Sequence, residues 1–170
     1  PAEEVVSAMY AELTGLPEDQ TVRTVSAGET VSYGEAEFRV LAPLEDLEST
    51  NENSLVYKLC CKEFSMLFCG DIEEKAERLL LDIYGDALRA DVLKVPHHGS
   101  ASATSDALLE AVQPQYAVIS SGEDRNLLPR NETLKRIADH GVEIFRTDEN
   151  GGIAILTDGA ETKIYTENGK

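Results

Sequence analysis

Apolar positions along the chain fall into three successive rhythms. Val5, Val6, Met9, Tyr10 and Leu13 stand at i, i+3 and i+4 spacing, which predicts an amphipathic helix over residues 3–14, ended by Gly15 and Pro17. A period of two follows: strands are expected over 21–26, 31–33 and 35–41, the last with Ala36, Phe38 and Val40 alternating against Glu37, Arg39 and Leu41 beyond a turn at Gly34. Residues 43–53 are acidic and aperiodic and read as a surface loop with freedom to move. Two apolar runs, 54–61 and 64–69, are joined by Lys62-Glu63, a length that suits a hairpin although neither residue favours the positive φ of the usual two-residue turns.

From residue 70 strand and helix alternate. Helices are expected over 72–83, 104–112 and 131–140 and strands over 91–95, 115–120 and 142–146, with a closing pair over 151–157 and 160–166 turned by Asp158-Gly159. The class is α/β (α+β), a sheet covered by helices. No internal repeat and no Pro- or Ser-rich linker divides residues 1–170, so one unit is expected.

The chain has 170 residues, 42% hydrophobic and 28% charged, enough apolar material for a core. No stretch reaches the roughly 18 consecutive apolar residues that span a bilayer. Fifteen Lys and Arg against 32 Asp and Glu give a net charge of −17, which repels polyanions at long range and offers no broad basic surface. Divalent metals at a site can reverse that field locally, so an anionic substrate stays open at a metal centre. Cys60, Cys61 and Cys69 lack zinc-knuckle spacing and read as core thiols; Cys60 and Cys61, adjacent on a strand, point to opposite faces.

The candidate chemistry sits at strand ends. Cys69-Gly70-Asp71 follows a buried strand directly and holds a carboxylate at the sheet edge, though Asp71 ahead of Ile72-Glu73-Glu74 also reads as a helix N-cap. Asp91-Val92-Leu93-Lys94-Val95-Pro96-His97-His98-Gly99-Ser100 ends a second buried strand with two of the chain's three histidines. Imidazole is the commonest biological zinc ligand, Pro96 stiffens the entry, and Ser100, Ser102 and Thr104 offer caps to the next helix; a surface turn with two solvated histidines is the bland alternative. Lys94 either pairs with an acid or faces the site. His140, before Gly141 at a helix end, reads as structural.

The order of Asn53-Ser54-Leu55-Val56-Tyr57-Lys58-Leu59, Phe68-Cys69-Gly70-Asp71, the Asp91–Ser100 segment, Ala117-Val118-Ile119-Ser120-Ser121-Gly122 and Arg146-Thr147-Asp148-Glu149-Asn150-Gly151-Gly152-Ile153 resembles the metallo-β-lactamase domain of ComEC-type DNA-internalisation competence proteins and their stand-alone relatives, specifically its C-terminal half. The resemblance runs in order from about residue 20 to 165. It implies an αββα sandwich with one or two divalent metals, zinc or manganese, between its sheets, activating a water to hydrolyse a phosphodiester or other ester-like bond. Asp71 then matches the bridging carboxylate, and His97 or His98 a ligand of the second metal.

Two departures shape the expectation. The family's His-x-His-x-Asp-His cluster has no counterpart in the chain, and Asn126-Leu127-Leu128-Pro129 lacks the His that relatives carry before Pro. Zinc is held firmly by three or four protein ligands, so this chain alone is expected to bind metal weakly and catalyse poorly. The missing N-terminal half is expected to precede Pro1 and to be the natural partner; without it, two copies are expected to pair across the apolar face. The resemblance further implies an extracytoplasmic domain of a membrane protein or a secreted relative, with DNA or another phosphodiester as substrate. A non-catalytic binding or scaffold domain that kept the fold, and a stand-alone hydrolase of a non-DNA substrate, are the competing readings.

Overall fold

Seven strands form one mixed sheet in strict sequence order: β1 (Thr30–Tyr33), β2 (Ala36–Ala42), β3 (Val56–Cys61), β4 (Phe64–Phe68), β5 (Val92–Lys94), β6 (Tyr116–Ile119) and β7 (Glu143–Arg146). This is a computed structural model, and it describes residues 24–122 and 127–169. The first four strands pair antiparallel and β4 through β7 pair parallel. The switch falls where the sequence changes rhythm, because parallel neighbours need a crossover and the chain supplies one each time: α1 (Glu74–Tyr84), α2 (Asp106–Val112) and α3 (Asn131–Asp139).

Alternation along the strands sends side chains to two faces. Leu67, Leu93, Val95, Ala117 and Ile119 meet Ala76 and Leu80 of α1, Leu108, Leu109 and Val112 of α2 and Ile137 of α3 in the main core. Truncating a fully buried leucine such as Leu80 or Leu108 to Ala removes about 2–5 kcal/mol from such a core. On the other face Phe64, Met66, Val92 and Val118 are covered by Ile153 and Ile155 of a separate hairpin, β8 (Ile153–Thr157) with β9 (Thr162–Thr166). Farther along this face Tyr57 stacks on Phe68 with ring centroids 4.5 Å apart, and Phe38 stands at 6.1 Å from Tyr57.

Most expected elements are present, and the differences have physical causes. The helix over 3–14 lies outside the described residues, as does the start of the 21–26 strand; Thr24–Ser26 are not in a strand and lead into the turn at Gly28. Lys62 adopts φ 53° in the β3–β4 hairpin, where its ammonium meets Glu35 at 3.1 Å and the Asp158 carbonyl at 3.1 Å. The last strand begins at Thr162 because the Asp158 carboxylate accepts from the amides of Ala160 and Glu161 and closes the turn there. Ser105, rather than Ser100, Ser102 or Thr104, caps α2, accepting from Leu108 N at 3.2 Å.

The loop over 43–53 is pinned rather than free. Asn53 bonds the Leu47 amide and carbonyl at 2.8 and 2.6 Å, and Glu52 is only 6% exposed. Its carboxylate accepts from the amides of Glu73, Lys75 and Ala76 at 3.1, 3.1 and 2.9 Å, which satisfies the free N–H groups that open α1. A single-turn helix, α4 (Thr147–Asn150), follows β7 and is too short to leave a periodic signal.

Candidate metal centre

The parallel strands β4, β5 and β6 all end at one edge of the sheet, and the turns leaving that edge carry the candidate residues. Asp71 leaves β4 through Gly70, whose φ of 56° is open to glycine; a Cβ there would lie 2.8 Å from Ser54 Cβ. The close approach lets Ser54 Oγ accept from Asp71 N at 3.1 Å, while Gly70 O accepts from His97 N at 3.0 Å. The Asp71 turn and the His turn are therefore tied by backbone. The helix-cap role is taken by Glu52, which leaves the Asp71 carboxylate, 43% exposed, facing the site.

His97 and His98 both adopt left-handed backbone, φ 45° and 53°, in the short turn after β5. Two consecutive non-glycine residues in that region store about 1–3 kcal/mol each and persist only when neighbours hold them. The two rings diverge. His98 Nδ1 lies 2.7 Å from the Ser120 carbonyl at the end of β6. A carbonyl only accepts, so Nδ1 carries the proton and, in the neutral ring, Nε2 presents its lone pair 3.5 Å from Asp71 Oδ1. His97 turns the other way: its buried Nδ1 stands 2.9 Å from Glu73 Oε1, an ion-pair separation without hydrogen-bond alignment. The same Glu73 oxygen accepts from Ser102 Oγ at 2.8 Å.

These positions fit a metal in part. Donors about 2.1 Å from a tetrahedral ion stand about 3.4 Å apart, so Asp71 Oδ1 and His98 Nε2 have the spacing of two ligands of one ion. A ligand His with its other ring N–H on a backbone carbonyl is the common outer-shell arrangement, and His98 has it. Among the described residues no cluster of three or more His, Cys, Asp or Glu side chains could hold an ion; Asp71 and His98 are two donors, short of the three or four that hold zinc firmly.

Beside the pair an open cleft of about 320 Å³ is lined by His98, Ser120, Ser121, Gly122, Leu128 and Thr147. Lys94 sits in register between Phe68 and Val118, its ammonium donating to Val95 O at 3.0 Å; burial pulls its pKa down, opposed by Cys69 and Asp71. Sequence reasoning did not single out Ser54, Glu73 or Thr147 as site-supporting side chains, nor the Ser120 carbonyl, since their roles depend on contacts across 17 to 26 residues. Cys69 is fully buried and burial pushes its thiol pKa up, while Cys60 and Cys61 are half-buried. His140 closes α3, its Nδ1 at 2.9 Å from Arg136 O.

The chain is 33% identical over 138 residues to ComE operon protein 3 of Bacillus subtilis (strain 168), covering 80% of the chain and 18% of that protein. It is 34% identical over 119 residues to competence protein ComA of Neisseria gonorrhoeae, covering 69% and 17%. It is 36% identical over 132 residues to recombination protein 2 of Haemophilus influenzae, covering 76% and 16%. The chain thus spans less than a fifth of the length of these relatives. No family model matches it. Among solved structures the CmlA beta-hydroxylase E377D mutant, a metallo-β-lactamase-fold hydroxylase, superposes with a TM-score of 0.54 at 15% identity, covering 76% of the chain and 33% of the other.

Proposed function

We propose, from the chain's membership in the metallo-β-lactamase-fold segment of ComEC-type competence proteins, that it contributes half of a metal-dependent phosphodiesterase site acting on DNA during uptake. The observation that carries the reading is the pairing of Asp71 Oδ1 with His98 Nε2 at 3.5 Å, with His98 held in the metal-ready tautomer by Ser120. A bound zinc or manganese would supply Lewis acidity and an activated water. Asp71 and His98 would hold it, and His97, drawn toward Glu73, serves the turn rather than the ion. Ser54 and the His97 amide keep the Asp71 turn rigid, and the cleft beside His98 receives the phosphodiester.

The remaining ligands come, on this reading, from a preceding half-domain bearing the family's His-x-His-x-Asp-His stretch, which would also cover the face carrying Phe38, Tyr57 and Phe68. Until it does, two copies of the chain pair there in concentrated solution, which light scattering across concentrations checks. The setting is an extracytoplasmic domain of a membrane protein; among the described residues no helix is long and apolar enough to cross a membrane. The net charge of −17 favours a second reading of the substrate, a small phosphodiester rather than a DNA strand.

The test is calorimetric titration of zinc and manganese into this chain and into one extended upstream by about a hundred residues, the scale of a half-domain. Tight binding confined to the longer chain supports a shared site. Binding by neither would leave a scaffold domain in its place. Comparing cleavage of single-stranded DNA and of bis(p-nitrophenyl) phosphate by the longer chain separates the two substrates.

A further inference from the structure

One peptide unit joins the candidate ligand to a threonine from the other end of the chain. Its carbonyl, Ser120 O, accepts from His98 Nδ1 at 2.7 Å, and its amide, Ser121 N, donates to Thr147 Oγ1 at 2.8 Å. The Thr147 hydroxyl donates in turn to Ser121 O at 2.6 Å, which aims its lone pair back at the Ser121 amide. A second tether runs alongside: Ser121 Oγ donates to Asp148 Oδ1 at 2.6 Å, and Arg146 holds that carboxylate through Nε at 3.1 Å and Nη2 at 2.5 Å. The Arg146 bond keeps the Asp148 carboxyl below the usual range, so it stays an acceptor.

We infer that Thr147 is a positioning residue for His98. A hydrogen bond at each end of a peptide fixes the tilt of its plane and polarises it, so the carbonyl becomes a better acceptor for the imidazole N–H. The tilt fixes the ring direction, and the acceptor fixes the tautomer. A free imidazole side chain prefers the proton on Nε2; the Thr147–Ser121 clamp pushes the preference to Nδ1 and frees Nε2 toward Asp71. The single-turn helix α4 exists, on this account, to deliver one hydroxyl to the back of the site. The consequence for metal affinity rests on the proposed function, whereas the consequence for the tautomer does not.

The experiment reads the His98 imidazole nitrogens by long-range ¹H–¹⁵N correlation NMR on this chain without metal, at mildly alkaline pH. In the wild type the Nδ1–H pattern is expected. Thr147→Val, which keeps the shape and removes both bonds, shifts the ring to mixed tautomers with Nε2–H dominant, and Thr147→Ser restores the wild-type pattern. An unchanged Nδ1–H pattern in Thr147→Val overturns the inference. If that variant does not fold, hydrogen exchange on the wild type decides: strong protection of the Ser121 amide relative to Gly122 supports the clamp, and equal exchange refutes it. In the extended, metal-binding chain Thr147→Val lowers zinc affinity about ten- to hundredfold, the usual loss for an outer-shell partner. A chain with the expected tautomers that binds no metal when extended would sink the proposed function and leave the clamp standing.

Discussion

Replacing Glu52 by Ala removes one buried carboxylate and leaves three helix amides, those of Glu73, Lys75 and Ala76, without their acceptor. The loss of a helix cap costs about 1–2 kcal/mol. Loss of a negative charge at the positive end of the helix dipole adds about 0.5–1 kcal/mol. At 6% exposure water reaches the cavity poorly, and a buried unsatisfied donor adds about 1 kcal/mol. The expected sum is about 3 kcal/mol, or about 6–12 °C in melting temperature for a chain of this size. Glu52→Gln keeps one oxygen and loses the charge, so about half that is expected. Urea denaturation followed by circular dichroism on both variants reads the difference. A change below about 0.5 kcal/mol in Glu52→Ala, the range of an ordinary surface substitution, would refute the cap and return the 43–53 segment to a surface loop.

Asp71→Ala in the extended chain abolishes hydrolysis with little change in melting temperature, because Glu52 rather than Asp71 caps α1; near-normal turnover assayed on either phosphodiester would remove Asp71 from the site. Glu77 is 1% exposed and burial raises its pKa in the fold, so the native state binds more protons than the unfolded state and stability falls as pH rises from about 4.3 through the folded value. Glu77→Gln flattens that slope in a pH series of denaturation curves, and an unchanged slope would contradict it. With Ellman's reagent, native protein titrates at Cys60 and Cys61 while Cys69 reacts only on unfolding, as its buried, pKa-raised thiol requires; fast modification of Cys69 in the native state would contradict its packing.

Strands β4 and β5 are legible in the sequence as short apolar runs because both of their faces are covered, Leu67 and Leu93 by the helices and Met66 and Val92 by the β8–β9 hairpin. The meeting of Asp71 with the His pair at one sheet edge is legible for a related reason: parallel strands joined by helices must end together. Which imidazole faces Asp71 is not, since it is decided by a carbonyl at Ser120, 22 residues onward. Glu52 and Glu77 are illegible too. A carboxylate in a polar stretch reads as solvated, and only the tertiary position of helix amides opposite it makes burial favourable.

Gly99 carries φ 81° and has no room for a side chain: a Cβ there would stand 2.5 Å from Pro129 Cβ. The same two segments are laced by Arg130 N donating to Gly99 O at 2.9 Å and by Thr133 Oγ1 donating to Ser100 O at 3.0 Å. The start of α3 and the histidine turn thus move as one lever, with no slack to absorb a shift at either end. A methyl group at position 99 would act as a wedge, prying the imidazoles from the sheet edge while leaving every imidazole and carboxylate in the chain chemically intact.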